Sequence, residues 1–333
     1  MTLYNEDMDN LTTNITFYFI GHFAIDNIIR FNRSHNPSLG GTVTFGSLGL
    51  RSYSKKVNIG IISNLGKLNF RLSFLNRFKK KNINLEGLKW FDSLNTNFIL
   101  NYLDHSRTLT LKSKSPNLNF EDIPNPYRIT KPDVIVLAPI CNEISEDYVS
   151  KIVSEFPNAY IGIDLQGFIR NISDSGKIDY ISNVDLLKRI YKMINLIGNR
   201  LVLKGSEDEM KLLTQTEDFS EIMAFFDKFE NKGIYIMTLG EKGSIIKKPK
   251  DKIIKIPAFN PKKVVDETGA GDVYLAIFLY EFIYSDQAWD AIERAAYLAS
   301  AAASFLVEKN GPKGFKSKKE VLKRVNAKNY INY

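Results

Sequence analysis

Residues 266–272 read Asp266-Glu267-Thr268-Gly269-Ala270-Gly271-Asp272, and the ten that follow, Val-Tyr-Leu-Ala-Ile-Phe-Leu-Tyr-Glu-Phe, are almost entirely apolar. A flexible turn therefore opens a buried helix, with the carboxylate of Asp272 in its first turn. Gly269 and Gly271 lack a β-carbon, so the backbone there can approach a ligand closely. The first amides of a helix have no internal acceptor, and the helix dipole favours negative charge beside them. An amide cradle next to a carboxylate suits the transfer of a phosphoryl group to a hydroxyl. The amides hold developing negative charge while the carboxylate takes the proton. A plainer reading stands beside it: Asp is a favoured helix N-cap, and Gly-rich turns before helices are common.

Working outward, short apolar β-prone runs occur at Ile15–Ile20, Val57–Ile62, Val134–Ile140, Tyr160–Leu165, Leu201–Leu203 and Ile234–Leu239. Helix-like stretches lie between several of them, at Arg71–Lys80, Glu146–Phe156, Asp185–Met193 and Ser220–Phe229. Strands alternating with helical segments predict an α/β fold with a mainly parallel central sheet flanked by helices. The C-terminal third turns mainly helical, with Ala291–Val307 an Ala-rich buried helix and a basic surface helix after Gly314. Phe23–Asn32 and Asn97–Leu111 break this rhythm. The second alternates and carries turn residues at Asp104-His105-Ser106, so it reads as a hairpin. Strands without crossover helices predict a small β lid, built from about 23–40 and 94–113 and inserted in one domain spanning 1–333. In doubly wound sheets ligands sit beyond the carboxyl ends of the strands, where such a lid can close.

Bulk properties narrow the partners. With 333 residues, 44% hydrophobic and 25% charged, the chain can bury a large core. A single cysteine, Cys141, excludes an internal disulfide and fits a reducing, cytoplasmic setting. The opening residues, MTLYNEDMDNLTTN, are polar and acidic, unlike a signal peptide, and no apolar run is long enough to span a membrane. The net charge of +8 allows an anionic partner. The lysines form no single stripe: Arg77, Lys79, Lys80 and Lys81 make one cluster and Lys313, Lys316, Lys318 and Lys319 another, each read as a solvated face. Neither nucleic acid nor membrane is expected. No P-loop, dinucleotide fingerprint or Gly-x-Ser-x-Gly elbow is present. His22, His35 and His105 lack metal-ligand spacing and read as packed or surface side chains.

With these motifs in place, the chain resembles the ribokinase-like (PfkB) carbohydrate kinases, over nearly its whole length and in the right order. The segment 266–272 is similar to the family pattern Asp-Thr-x-Gly-Ala-Gly-Asp, with Glu267 where Thr is usual. The resemblance implies that Asp272 is the catalytic base and that Gly269, Ala270 and Gly271 form the anion hole, with Asp266 and Lys204 among the nucleotide contacts. Thr238-Leu-Gly240-Glu-Lys-Gly243 resembles the family segment that touches nucleotide phosphates. Read alone, it is a strand entering a Gly-rich turn. Lys204-Gly-Ser206-Glu-Asp-Glu209 resembles Asn-x-x-Glu, with Ser206 in the Asn position, and implies that Glu209 organises Mg²⁺. Without the resemblance it is a solvated acidic helix start.

On the acceptor side, Asp26 resembles the family's substrate-binding aspartate. Gly40 and Gly41 are similar to its Gly-Gly pair, and Phe45 stands where an Asn is usual. In Asp164-Leu-Gln166-Gly167-Phe-Ile-Arg170, Gln166 resembles a substrate-contacting amide and Asp164 a metal-positioning carboxylate. An ion pair between Asp164 and Arg170 is the competing reading. This stretch looks most like archaeal members that include inositol kinases. The expected activity is ATP-dependent transfer of the γ-phosphoryl group to a small sugar or cyclic polyol, with Mg²⁺, and a homodimer through the lid is compatible with the arrangement. Two alternatives stay open: a nucleoside kinase whose base stacks on Phe45 or Tyr102, and a non-catalytic sugar-binding regulator.

Overall fold

The computed structural model describes residues 14–331 apart from 31–32, 35, 104–105, 181–182 and 284. Its main sheet has nine strands in the order Ile253–Ile256, Ser244–Lys247, Ile234–Thr238, Leu201–Ser206, Tyr160–Asp164, Val134–Leu137, Ile15–Ile20, Val57–Gly66 and Asn84–Phe91. From Ile234–Thr238 to Asn84–Phe91 every pairing is parallel. The last two strands on the opposite edge are antiparallel. Central strands such as Val134–Leu137 are apolar at every position because helices cover both faces.

One face carries the helices Thr42–Tyr53, Ala270–Ile283 and Trp289–Leu306. The other carries Glu146–Glu155, Val184–Ile197, Glu207–Thr214 and Phe219–Phe225. Apart from Asp272 and Glu281, Ala270–Ile283 is apolar on every side, since it is enclosed by the sheet and by neighbours on either side. This is the mainly parallel α/β fold that the alternation predicts, and it agrees with the ribokinase-like class that the resemblance implies.

Several local expectations are corrected. The strand at Val134 stops at Leu137, because Pro139 has no amide and Glu143 takes the amides of Ile140 and Cys141. The Ser220–Phe229 stretch is α-helical only over Phe219–Phe225 and then tightens into a 3₁₀ turn. The basic helix, Lys318–Asn326, is not a mere surface element: it buries Val321, Leu322 and Val325 against the core. Three strands (Asn84–Phe91, Ser244–Lys247 and Ile253–Ile256) and the helix Thr42–Tyr53 join the elements read from sequence.

A second sheet of five strands lies over one end of the first. Ala24–Arg30 sits at its centre, paired with Arg33–Ser34, Ser38–Gly40 and Asn97–Leu103, and Ser106–Ser113 completes it. The expected lid segments fall on these strands. The expected turn residues Asp104 and His105, together with Asn32 and His35, lie outside the described residues.

Candidate active site

Five chain segments converge at the carboxyl ends of the parallel strands. Asp164, Ser206 and Thr238 end their strands there, and the helices Thr42–Tyr53 and Ala270–Ile283 begin there. Two cavities open at this rim, of about 270 and 370 Å³, and both walls include Ser206, Thr238, Glu267 and Gly271.

The smaller cavity is polar on its floor and apolar at its roof. Asp26, Gly41, Thr42, Phe45, Asp164, Gln166, Lys204, Glu209, Thr238, Gly269, Gly271 and Asp272 line it, so most residues singled out from sequence meet here. Phe98, Leu100 and Leu109 of the second sheet close its top. Ala270, Gly240 and Gly243 face the larger cavity instead, beside Ala258, Phe259, Val264, Tyr274, Ala303 and Val307. Gly40 lines neither, lying directly behind the Asp26 carboxylate.

Asp272 is the third residue of its helix, not its N-cap, and its side chain borders the polar cavity. Thr42 Oγ1 donates to its Oδ1 at 2.8 Å. Burial and the nearby Asp164 charge push the Asp272 carboxyl up to about 7, against the opposing pull of Lys204 and Thr42. A carboxylate with that pKa is matched to accepting a proton near neutral pH.

Beside it, Lys204 Nζ pairs with Asp164 Oδ2 at 3.0 Å, both side chains buried. Burial alone would lower the Lys204 pKa, but the charges of Asp164, Glu209 and Asp272 prevail and raise it. A β-carbon on Gly271 would stand 2.6 Å from Lys204 Nζ, so the bare backbone is what lets the ammonium reach the loop. At Gly269, φ is +83° and a β-carbon would fall 2.1 Å from the Phe45 ring. Phe45 therefore packs against the loop that opens the helix.

Three expectations change at this point. Glu209 is not a solvated helix-start acid: it is buried, it lines the polar cavity, and its Oε2 accepts the Ser206 amide at 2.8 Å in a capping box. Burial and Asp164 raise its pKa, with Lys204 opposing. Asp164 pairs with Lys204, not with Arg170; the Arg170 guanidinium donates to Ile140 O at 2.7 Å and lies over the Phe98 ring. Asp266 faces neither cavity. Its carboxylate accepts the Thr268 hydroxyl at 2.7 Å and the Gly311 amide at 3.0 Å, so it holds the loop in shape.

Glu267, the departure from the family pattern, borders both cavities. The side chain of Tyr102 lies outside the described residues. Thr42 escapes a reading of the sequence alone, and its only local signal is its place just after Gly40-Gly41. Glu143 escapes it too. It is fully buried and accepts the amides of His22, Ile140 and Cys141, tying the root of the second sheet to the main one. His22, Cys141 and Glu143 lie within metal-ligand reach of one another, yet each already bonds to protein.

The acid content of the polar cavity suits a divalent cation. Asp26, Asp164, Glu209, Glu267 and Asp272 line it against Lys204 and Arg170. Magnesium takes oxygen ligands and keeps several waters, so Asp164 and Glu209 with donor phosphates form a fitting set.

Residues 46–318 match the profile of the pfkB family carbohydrate kinases, and the chain belongs to that family. A nucleoside kinase of Methanocaldococcus jannaschii is 42% identical over 85 residues, which is 26% of each chain. The match to curated relatives thus spans well under half of their length, for example 39% of a putative 1-phosphofructokinase of Mycoplasma genitalium. Among solved structures, a pyrophosphate-dependent kinase in the ribokinase family, complexed with a pyrophosphate analog and myo-inositol, superposes with a TM-score of 0.73. It is 20% identical, over 92% of this chain and 99% of that one. A fructokinase from Vibrio cholerae O395 superposes with a TM-score of 0.72 at 16% identity, over 93% of this chain and 99% of that one. Among the described residues no helix is long and apolar enough to cross a membrane.

Proposed function

We propose that this protein is a kinase that transfers the γ-phosphoryl group of a nucleoside triphosphate, ATP in the first instance, to a hydroxyl of a small sugar or cyclic polyol. The observation that carries the reading is the meeting of two chemically different cavities at Gly271, with Asp272 next to it on the polar side. The apolar cavity suits the base and ribose of the donor. The polar cavity suits the acceptor. Their shared wall is where the terminal phosphate would meet the hydroxyl.

Asp26 accepts hydrogen bonds from acceptor hydroxyls, and Gln166 adds an amide that reads them. Asp272 takes the proton from the attacking hydroxyl as the oxygen–phosphorus bond forms. The amides opening the helix at 269–271 and the Lys204 ammonium meet the charge on the transferred group. Magnesium held by Asp164 and Glu209 would neutralise charge on the donor's phosphate oxygens.

The likeness to a pyrophosphate-dependent kinase makes pyrophosphate the rival donor. Among the described residues lining the larger cavity none is Lys or Arg, while Ala258, Phe259, Pro261, Val264, Ala303 and Val307 do line it. That wall favours a ring over a bare polyanion. Nucleosides are the rival acceptors, favoured by the partial match to an archaeal nucleoside kinase. Against them, Phe45 is already committed to packing on Gly269 and is not free to stack on a base. The intact pair of Asp272 and Lys204 beside the loop speaks against a purely regulatory role.

A donor-by-acceptor matrix tests this. ATP and pyrophosphate are each offered with hexoses, inositols and nucleosides, and phosphorylated product is measured. Turnover of a sugar or inositol with ATP is expected. Turnover only with pyrophosphate, or only of nucleosides, would overturn the corresponding half of the proposal.

A further inference from the structure

At the opposite end of the sheet from the two cavities lies a third, of about 280 Å³, close in size to the acceptor cavity. Its wall is polar in an unusual way. Arg51 and the asparagines Asn58, Asn82 and Asn84 line it, with the rings of Tyr18 and Tyr127, and no acidic side chain does. Arg51 is held in place by its own chain: its guanidinium donates to Lys55 O at 3.1 Å and to Asn82 O at 3.3 Å.

The charge around this cavity is the second, independent observation. Lys81, which the sequence places in a solvated basic run with Arg77, is partly buried and donates to Ser52 Oγ at 3.1 Å. Its pKa is lowered, first by burial and then by the positive charges of Arg77, Arg51 and Lys55. Those charges have no direct ion-pair partner among the described residues; the nearest acids bond to neutral wall residues instead, Glu86 to Asn84 and Asp133 to the Thr16 amide. Lys81 donates to a hydroxyl, Arg77 and Arg51 donate to carbonyls, and among the described ion pairs none involves any of these four residues. Like charges gathered without counter-ions repel one another, and the repulsion falls when an anion joins them.

From this cavity and its field we infer that the protein carries a second anion site, remote from the phosphoryl-transfer rim, which takes a small phosphorylated metabolite. The Arg51 guanidinium holds its phosphate, and the positive charges of Lys81, Arg77 and Lys55 behind it add a favourable field. The asparagine amides and the tyrosine rings take the hydroxylated remainder. Arg51 lies on the last turn of the helix that begins at Thr42, the residue bonded to Asp272. The site and the rim are therefore joined by one rigid element. The inference does not depend on which acceptor the rim uses, while its test takes the rim's donor to be a nucleotide, as proposed above.

Titration calorimetry with inorganic phosphate tests it, on protein alone and on protein saturated with Mg·ADP so that the rim is blocked. Phosphate binding is expected to persist under ADP. It should weaken about tenfold in Arg51→Gln, as for loss of a charged hydrogen bond. Asn58→Asp provides the second variant, because Asn58 is an exposed side chain on the wall and its change leaves the bonds of Arg51 intact. It should weaken phosphate by a similar factor with an unchanged melting temperature. Lys232→Gln, which removes an exposed charge outside the cluster, should bind phosphate as wild type does. Loss of all phosphate binding on ADP saturation, or wild-type binding by both Arg51→Gln and Asn58→Asp, would overturn the inference. An equal loss in Lys232→Gln would also overturn it, by showing a diffuse effect of net charge.

Discussion

On one side of Gly271 the wall carries Asp26, Asp164, Lys204, Glu209 and Asp272; on the other it carries Ala258, Phe259, Val264, Ala303 and Val307. The first side is built to manage protons and hydroxyls, and its charges raise the pKa values of Asp272, Lys204 and Glu209. The second side offers shape and dryness. A donor seated there leaves its charge to the backbone amides and to Lys204 at the boundary. Chemistry and recognition are thus divided between two surfaces that share only Ser206, Thr238, Glu267 and Gly271. Changes on one side should leave the other side's binding intact.

The sharpest way to break that division is Asp272→Asn. The fold should persist, since asparagine keeps the acceptor for the Thr42 hydroxyl. Turnover should fall about 10²–10⁴-fold with both Michaelis constants little changed. Next, Asp26→Asn weakens hydrogen bonds made to a charged group. The acceptor KM should rise roughly 10–100-fold while the donor KM holds. Steady-state kinetics with each substrate varied in turn would check both, and a matching rise in the donor KM would contradict the division.

Gly269→Ala acts on the boundary itself. Its φ of +83° and the collision with the Phe45 ring should cost about 1–3 kcal/mol of stability, read as a lowered midpoint in urea. On the dry side, Ala303→Leu fills part of the donor cavity. An increase of roughly tenfold in the KM for ATP is expected, since an added methylene-scale clash costs about 1–3 kcal/mol. Were pyrophosphate the donor, this variant would leave the donor KM alone.

A further effect concerns pH. The folded Asp272 pKa lies near 7, above its ordinary value, so the folded state holds that proton more tightly than the unfolded one. Its stabilising contribution is full below about 4 and lost as pH rises through 7. Asp272→Asn should therefore gain stability relative to wild type between pH 5 and pH 8, measured by thermal melts. Turnover of wild type should rise over the same range as the base ionises.

Much of this layout is legible in the chain. The run after Asp272 announces a buried helix because no polar face interrupts it, and Val134–Leu137 announces a central strand for the same reason. Other parts are not legible, for physical reasons. Thr42–Tyr53 reads Thr-Val-Thr-Phe-Gly-Ser-Leu-Gly, rich in β-branched residues and glycine, and becomes a helix only through packing against Ala270–Ile283. Asn84–Phe91 alternates charges and apolar residues as an edge strand does, without the continuous apolar signal of the centre. Asp164 has two basic residues within reach in sequence terms, Lys204 and Arg170, and only the register of adjacent strands selects Lys204. Phe45 reads from the sequence as a candidate substrate contact and does line the polar cavity, but only the left-handed turn at Gly269 shows that the loop also packs against its ring.

The central claim is that Asp272 stands between donor and acceptor. A crystal structure with a non-hydrolysable ATP analogue and a turned-over polyol tests it most directly. The account predicts the terminal phosphate at the 269–271 amides and one acceptor oxygen about 3 Å from the Asp272 carboxylate. A donor phosphate lodged against Asp26 and Gln166, or an acceptor with no hydroxyl within reach of Asp272, would contradict it.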